Sequence, residues 1–567
     1  MKKQIYFLQL IFILFSTLFT GAKCFAQTPN WLWAQGLRGD SWDDGNGISH
    51  DLSGNIYVTG GYQSSKLFVE NDSLVNSDTA SYSADMFLIK YSPAGNVIWK
   101  QTFAGMQDNY GFAICNDDSA NIYVTCIAFG KTFSIGGNTF NNADTSGNST
   151  EAFIIKLDSS GTVRWVRNVS GRRYDYLLGI CIDANGYVYA TGHFQSRVLY
   201  IENDSLVNST SNGSNFFVVK YDLNGNYIWS TRGGGNYWTG TYKITVDQNG
   251  DAYVAGEFGD SVFYFANDTL LNQSMPGYDD YFVAKIDHNG NPVWAKSAGG
   301  PEDEYGGGLI ADGFGNLYVT GGFYSDSVDF GAGYLLNSGS WELFLLKYDL
   351  NGQVVWSKAY GGSGSDNVHE LKADSLGALY MAGQFASPML MFGTSMLMRT
   401  GNENAFITKF DSDGNPVWAQ NTSGSISENV LALTVDANRN VYSTGTYHSN
   451  PATFGTSQLV NLANTDVFVA KLEAINTGTP FIRPNNLSAE VFPNPSANFI
   501  SIHFAGEPDF SNSLVFRMYN FMGEKVMERR LNSVEEQLNL DVESGVYTYE
   551  VRGEKEFYGK GKVVVVR

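Results

Sequence analysis

Asp51-Leu-Ser-Gly-Asn-Ile-Tyr-Val-Thr-Gly60 is a turn rich in Asp and Gly that leads into an alternating strand, and the pattern returns six more times along the chain. Its aspartate recurs as Asp117, Asp183, Asp247, Asp312, Asp374 and Asp436. Its tyrosine, six residues on, recurs as Tyr123, Tyr189, Tyr253, Tyr318, Tyr380 and Tyr442. Each copy is followed by a strand carrying Phe and then Lys three residues later, from Phe87/Lys90 to Phe468/Lys471. A Gly-containing hairpin turn such as Asp222-Leu-Asn-Gly-Asn226 then feeds a tryptophan strand. The tryptophans, Trp33, Trp99, Trp165, Trp229, Trp294, Trp356 and Trp418, are spaced 62 to 66 residues apart. A period of this length marks a repeat architecture in which each unit buries its faces against its neighbours. Four strands per unit with no amphipathic helical stretch predict an all-β chain built as the blades of a β-propeller, and segments such as 68–76 predict a small hairpin arm on each blade.

The two ends of the array complement each other. Trp33 arrives without a preceding Phe…Lys strand, and Phe468/Lys471 arrives without a following tryptophan. Pairing the segment around Trp31 with the strand from Asp466 is expected to close a ring of seven blades with no free sheet edge.

The 567 residues, 43% of them hydrophobic, exceed what one propeller needs and leave room for a second domain. Residues 1–26 read as a secretory signal, with Lys2 and Lys3, an apolar run and a short exit ending in Ala26. The apolar run is short for a membrane span and no stop-transfer segment follows it, so an integral membrane protein is not expected. Loss of this segment removes three lysines and no acids, taking the net charge from −21 to −24. That charge opposes the cationic surface that nucleic acid demands. Three cysteines remain, Cys115, Cys126 and Cys181, too few and too odd in number for a disulfide framework.

Residues present in every unit read as scaffold, because a ring of identical groups rarely makes a unique site. Each lysine of the repeat is expected to bury its stem and place its ammonium on a carboxylate or an aromatic face. Departures from the sevenfold pattern are where function is sought. One column reads Asp43, Asn109, Asp175, Thr239, Glu304, Asp366, Glu428. Its five acids, Asp43, Asp175, Glu304, Asp366 and Glu428, are either turn caps and inter-blade acceptors or an acidic ring at one mouth of the central channel, where calcium would find hard oxygen donors. Trp42, Tyr174, Trp238 and Tyr305 are placed in blade-connecting loops on one face, as aromatic platforms for a sugar ring or a peptide. The closely spaced Met389, Met391, Met396 and Met398 admit a soft-metal reading, but their period of two is read as the core face of strands. No His-Glu-x-x-His, Gly-x-Ser-x-Gly or phosphate loop occurs, so catalysis rests only on the chance pairing of carboxylates.

Segments such as Asp85-Met-Phe-Leu-Ile-Lys-Tyr91 and Gly95-Asn-Val-Ile-Trp99 resemble the SBBP-type propeller repeat of secreted bacterial proteins over 27–475. That resemblance implies a fold and almost no activity. The turn spacing Asp222-x-x-Gly225-x-x-x-Trp229 is also similar to the tryptophan-docking motif of quinoprotein propellers, whose eight blades and adjacent cysteine pair are not found here. After a linker at 476–488, residues 489–567 carry short alternating strands expected to form a β-sandwich. They resemble the type A sorting domain of type IX secretion substrates, through Val491-Phe-Pro493-Asn494-Pro495, Met518-Tyr-Asn-Phe-Met-Gly523, Gly545-Val-Tyr547 and Gly559-Lys560-Gly-Lys562. The resemblance implies recognition by the type IX machinery and a secreted or surface-attached product. The expected function is a non-enzymatic module binding a glycan or a surface protein, with a polysaccharide hydrolase or lyase as the alternative.

Overall fold

The computed structural model describes residues 28–474 and 488–565, except 78–82, 106, 145–148, 209, 211–212, 314, 493–498, 506–513, 521–524, 532, 534 and 553–556. The expected signal, most of the linker, and Pro493, Asn494, Pro495 and Gly523 of the sorting motif lie outside the described residues. The chain divides into two compact units, Met1–Ile475 and Asn476–Arg567.

The first unit is all-β and propeller-like. Among the described residues its repeat builds successive antiparallel sheets, the first made of Asp43–His50, Ile56–Tyr62, Asp85–Tyr91 and Val97–Phe103 in that order. The two middle strands are buried on both faces, which is why they read as nearly continuous apolar runs, while the strand bearing tryptophan is mostly half-buried. The last sheet, Glu428–Val435, Val441–Tyr447 and Asp466–Leu472, takes its fourth strand from the other end of the chain. Trp31–Leu37 pairs antiparallel with Asp466–Leu472, with Gly36 opposite Phe468.

The repeated residues hold each unit together locally and to the next. Asp51 accepts the amides of Ser53 and Asn55 at 2.9 Å each, fixing the turn, and accepts the Tyr57 hydroxyl at 2.9 Å. The same Tyr-to-Asp bond recurs in five further units at 3.0–3.2 Å. All seven lysines of the Phe…Lys strand lie over that tyrosine, with the ammonium 4.7–5.4 Å from the ring centre. Each such contact contributes on the order of 1 kcal/mol at a partly desolvated site. The tryptophans link neighbouring sheets: Trp33 lies on Gly95, Trp165 on Gly225 and Trp229 on Gly290, so a Cβ on these glycines would come within 2.7–3.1 Å of the ring. These glycines have φ of +79° to +90°, so both the turn and the docked ring require glycine.

The methionines at 389–398 are not core. Met389–Phe392 and Ser395–Met398 form a separate two-stranded arm in which Leu390, Phe392 and Leu397 are buried and all four methionines are exposed. A period of two identifies one face of a strand, but not which face is inward.

In the second unit, Ser488–Phe492, Phe499–Ala505 and Glu535–Asn539 form one sheet. Lys525–Arg530, Val515–Tyr519, Gly545–Arg552 and Phe557–Val565 form the other. Side chains from both, including Ile500, Ile502, Phe516 and Val551, share one core. Gly545 opens its strand and the Tyr547 hydroxyl donates to the Glu543 carbonyl at 2.9 Å, while Lys560 and Lys562 fall within Phe557–Val565.

Candidate functional site

The innermost strand of each sheet begins at the acid-rich column, and these strands, from Asp43–His50 to Glu428–Val435, line a cavity of about 390 Å³. Glycine and alanine let these strands approach: a Cβ on Gly47 would lie 2.7 Å from the Phe112 carbonyl oxygen, and one on Gly307 2.4 Å from that of Val368. The column four residues after the acid is accordingly small, reading Gly47, Ala113, Gly179, Gly308 and Ala432 in five sheets. In the remaining two it carries Lys243 and Glu370.

These two exceptions meet. Lys243 Nζ lies 3.2 Å from Glu370 Oε2, and Lys372 Nζ lies 3.2 Å from Glu370 Oε1. The strand between them, Glu304–Ala311, has glycine at 306, 307 and 308, so none of these three positions puts a side chain between the partners. Burial pushes the Glu370 carboxyl up, but the two ammonium groups outweigh it and hold it below its ordinary range. The adjacent His369 is pushed down to about 4 by burial, with Lys243 acting in the same direction, so it is neutral at physiological pH and meets the Asn429 amide at 3.3 Å. Two cations and one anion therefore face a cavity at the centre of an acidic protein.

Above this cluster, the second residue of the innermost strand and the loop before it carry aromatic side chains on one sector. Trp238 packs edge-on to His193 with ring centres 4.8 Å apart, and His193 lies 4.9 Å from Tyr176. Tyr305 and Tyr324 both contact Trp341, at 5.3 and 5.5 Å. The Tyr305 hydroxyl donates to Asn367 Oδ1 at 3.3 Å and accepts the Val368 amide at 3.2 Å, joining two sheets. Carboxylates are interleaved with these rings. Tyr242 donates to Glu257 Oε1 at 2.6 Å, and the Asp279 amide donates to Asp303 Oδ1 at 2.9 Å. Burial raises Glu257, and burial together with Glu257 and Asp303 raises Asp279 to about 7.

Of the residues expected to bind ligand, Trp42, Tyr174 and Trp238 occupy one equivalent position, each accepting a backbone amide (Gln63, Gln195, Gly259) at 2.9–3.0 Å. Trp42 is 51% exposed and contacts His448; Tyr174 is exposed beside Phe129; Trp238 is half-buried. Tyr305 is not in a loop but is the second residue of a strand, half-buried and lining the cavity. The structure thus joins Trp238 and Tyr305 to the cavity sector and leaves Trp42 and Tyr174 at other points of the rim.

The five acids read either as turn caps and inter-blade acceptors or as an acidic ring at a channel mouth are fully buried, one per sheet. Asp43 accepts Ser64 Oγ at 2.7 Å, Asp175 accepts Ser196 Oγ at 2.6 Å and Asp366 accepts Ser387 Oγ at 2.7 Å. Glu304 accepts the Gly300 amide at 2.9 Å, and Glu428 accepts the Asn404 side chain at 2.8 Å. Each carboxylate thus accepts at least one hydrogen bond from groups packed beside it. Among the described residues no three His, Cys, Asp or Glu side chains group to hold a metal, calcium included.

Sequence reasoning passed over Lys243, Glu370, Lys372, Tyr242, Glu257 and Trp341. The signal was present for the charged pair, as two charges in a column otherwise held by Gly and Ala. Trp341 likewise stands in a column whose other members are Ala84, Thr150, Ser214, Asp279, Glu403 and Thr465.

Residues 490–566 match the family model for the secretion system C-terminal sorting domain. The chain is 23% identical over 530 residues to an uncharacterized WD repeat-containing protein of Acanthamoeba polyphaga mimivirus, covering 78% of this chain and 38% of that protein. It is 24% identical over 176 residues to the regulatory protein FlaEY of Caulobacter vibrioides, covering 30% of this chain and 18% of that one. The chain thus spans less than two-fifths of the length of these curated relatives. Among solved structures it is similar to the WD40 domain of Neurospora crassa Pan2, with a TM-score of 0.39 and 8% identity over 80% of this chain and 98% of that one. It is also similar to a puromycin hydrolase, with a TM-score of 0.40 and 10% identity over 84% of this chain and 61% of that one. The C-terminal sorting domain directs export across the outer membrane by type IX secretion, to the cell surface or the extracellular space. Among the described residues no helix is long and apolar enough to cross a membrane.

Proposed function

We propose that this protein is an extracellular, non-enzymatic binding module: a seven-bladed propeller of the SBBP repeat type, closed by the strand Trp31–Leu37, that holds a glycan or a surface protein on the rim above its central cavity. The pairing of Trp31–Leu37 with Asp466–Leu472 supports the closed ring, because the fourth strand of the last sheet comes from the first residues of the array. The observation that carries the binding reading is the concentration of departures from the repeat in one sector. Trp238, Tyr305 and Trp341 supply flat faces there, while Glu257, Asp279 and Asp303 supply acceptors for hydroxyl or ammonium groups. A scaffold with no ligand has no use for such an asymmetric cluster over an otherwise sevenfold ring.

One observation favours a second reading. Asp279, raised to about 7 by burial and by Glu257, is a carboxyl still partly protonated at neutral pH, the form in which the general acid of a polysaccharide hydrolase acts. One experiment separates the two. The secreted chain is incubated with insoluble polysaccharides, and bound protein and released sugar are measured in the same tube. Binding without release, weakened at least tenfold by Trp238→Ala, supports the module; release abolished by Asp279→Asn supports the hydrolase; neither outcome moves the ligand to a protein.

A further inference from the structure

We infer that the hairpin arm at residues 389–398 is a binding site for a soft monovalent metal ion, Cu(I) in particular, held by four methionine thioethers. The arm pairs Met389 with Met398 and Met391 with Met396, so all four side chains leave the same face of a two-stranded ribbon. That face is open: the methionines are 45%, 37%, 56% and 52% exposed in the order 389, 391, 396, 398, while Leu390, Phe392 and Leu397 on the opposite face anchor the arm in the core.

The repeat supplies its own control. The same four places in the arm Val198–Ile201/Asp204–Val207 hold Val198, Tyr200, Ser205 and Val207. In Val262–Phe265/Asp268–Leu271 they hold Val262, Tyr264, Thr269 and Leu271. Packing of an arm therefore does not require methionine there, yet four of the twelve methionines of the chain fall within these ten residues.

The geometry of a β-ribbon suits one ion. Directly paired Cβ atoms are about 5 Å apart, and positions two apart on one strand are about 6.7 Å apart, so the centre of the rectangle lies roughly 4.2 Å from each Cβ. A thioether sulfur sits about 2.8 Å from its Cβ and a metal–sulfur bond adds about 2.3 Å, so all four sulfurs reach an ion held slightly above the ribbon, with unbranched side chains free to adjust. Thioethers are soft, neutral ligands that favour Cu(I) over Zn²⁺ or Ca²⁺. The three cysteines do not compete on equal terms. Cys126 is buried, and burial pushes the Cys115 thiol up to about 12 and raises Cys126 and Cys181 as well, so none presents a thiolate.

The test is anaerobic titration of the whole secreted chain with Cu(I) against a chromophoric Cu(I) chelator, repeated with Ag(I), which needs no reductant. One equivalent of each ion is expected per chain, unaffected by excess Zn²⁺ or Ca²⁺. The volume-conserving quadruple variant Met389→Leu, Met391→Leu, Met396→Leu, Met398→Leu is expected to lose at least tenfold in affinity with unchanged thermal stability, and the pair Met389→Leu, Met398→Leu to fall between. Met275→Leu, at another exposed methionine, is expected to leave uptake unchanged. Absence of stoichiometric uptake by the parent, or equal uptake by the quadruple variant, overturns the proposal. An unfolded quadruple variant transfers the decision to the pair variant, in which equal uptake is equally fatal.

Discussion

Replacing Asp175 by Asn tests how the acids at the head of the innermost strands are carried. Asp175 is fully buried, and burial pushes its carboxyl up to about 7 against the lowering effect of the Ser196 hydroxyl and amide. In the unfolded chain it titrates near its ordinary 3.8. Between these values the folded protein keeps a proton that the unfolded chain has released, so the folded state binds more protons and stability falls as pH rises through the window. Below about pH 4 both states are protonated, and above about pH 7 both are ionised and the full cost of the buried charge stands. At about 1.36 kcal/mol per pK unit, the rise corresponds to about 4 kcal/mol. Asparagine has no charge to desolvate, and its Oδ1 still accepts from Ser196; the repeat itself places Asn109 and Thr239 in this column. The stability difference between Asp175→Asn and its parent is therefore expected to shift in favour of the variant by about 4 kcal/mol from pH 4 to pH 8. Urea midpoints followed by tryptophan fluorescence measure it, and because all eleven tryptophans precede residue 475 the signal reports the first unit alone. A difference that changes by less than about 1 kcal/mol across this range would show that the carboxyl stays ionised in the fold and would refute the reasoning.

Two further outcomes follow from the same geometry. Lys243→Met leaves the buried Glu370 with Lys372 alone and is expected to cost about 2 kcal/mol, most of it recovered in the double variant Lys243→Met, Glu370→Met, as read from a double-mutant cycle in urea. Gly192→Ala places a Cβ 1.8 Å from the Tyr176 carbonyl oxygen and is expected to cost about 3 kcal/mol, whereas Gly313→Ala, which meets only the end of the Gln248 side chain, should stay within about 0.5 kcal/mol in the same assay.

The scaffold was legible because its period is written in residues with one structural use. Trp33, Gly95 and Gln35 form a single contact: the indole lies on the glycine and Gln35 donates to the Gly95 carbonyl at 2.7 Å, so turn and ring must recur together. The Lys90–Tyr57–Asp51 stack is readable for the same reason. What the sequence did not reveal is depth. An acid at the head of a strand reads alike whether it lines a channel or lies beneath the rim, and only the structure shows Asp43 buried and accepting from Ser64. The methionine arm failed for the matching reason, since alternation is symmetric between the inner and outer faces of a ribbon.

A repeat of this kind also states where function can arise. Every innermost strand needs small residues where it meets its neighbours, so a large or charged side chain in that column crowds the adjoining strand unless that strand gives way. Lys243 and Glu370 are tolerated because Gly306, Gly307 and Gly308 lie between them, and the three departures make sense only together. Trp238, Tyr305 and Trp341 crowd the same sector. In this column the repeat is interrupted by complementary changes on three adjacent strands, two charged residues that pair and the glycines that let them meet.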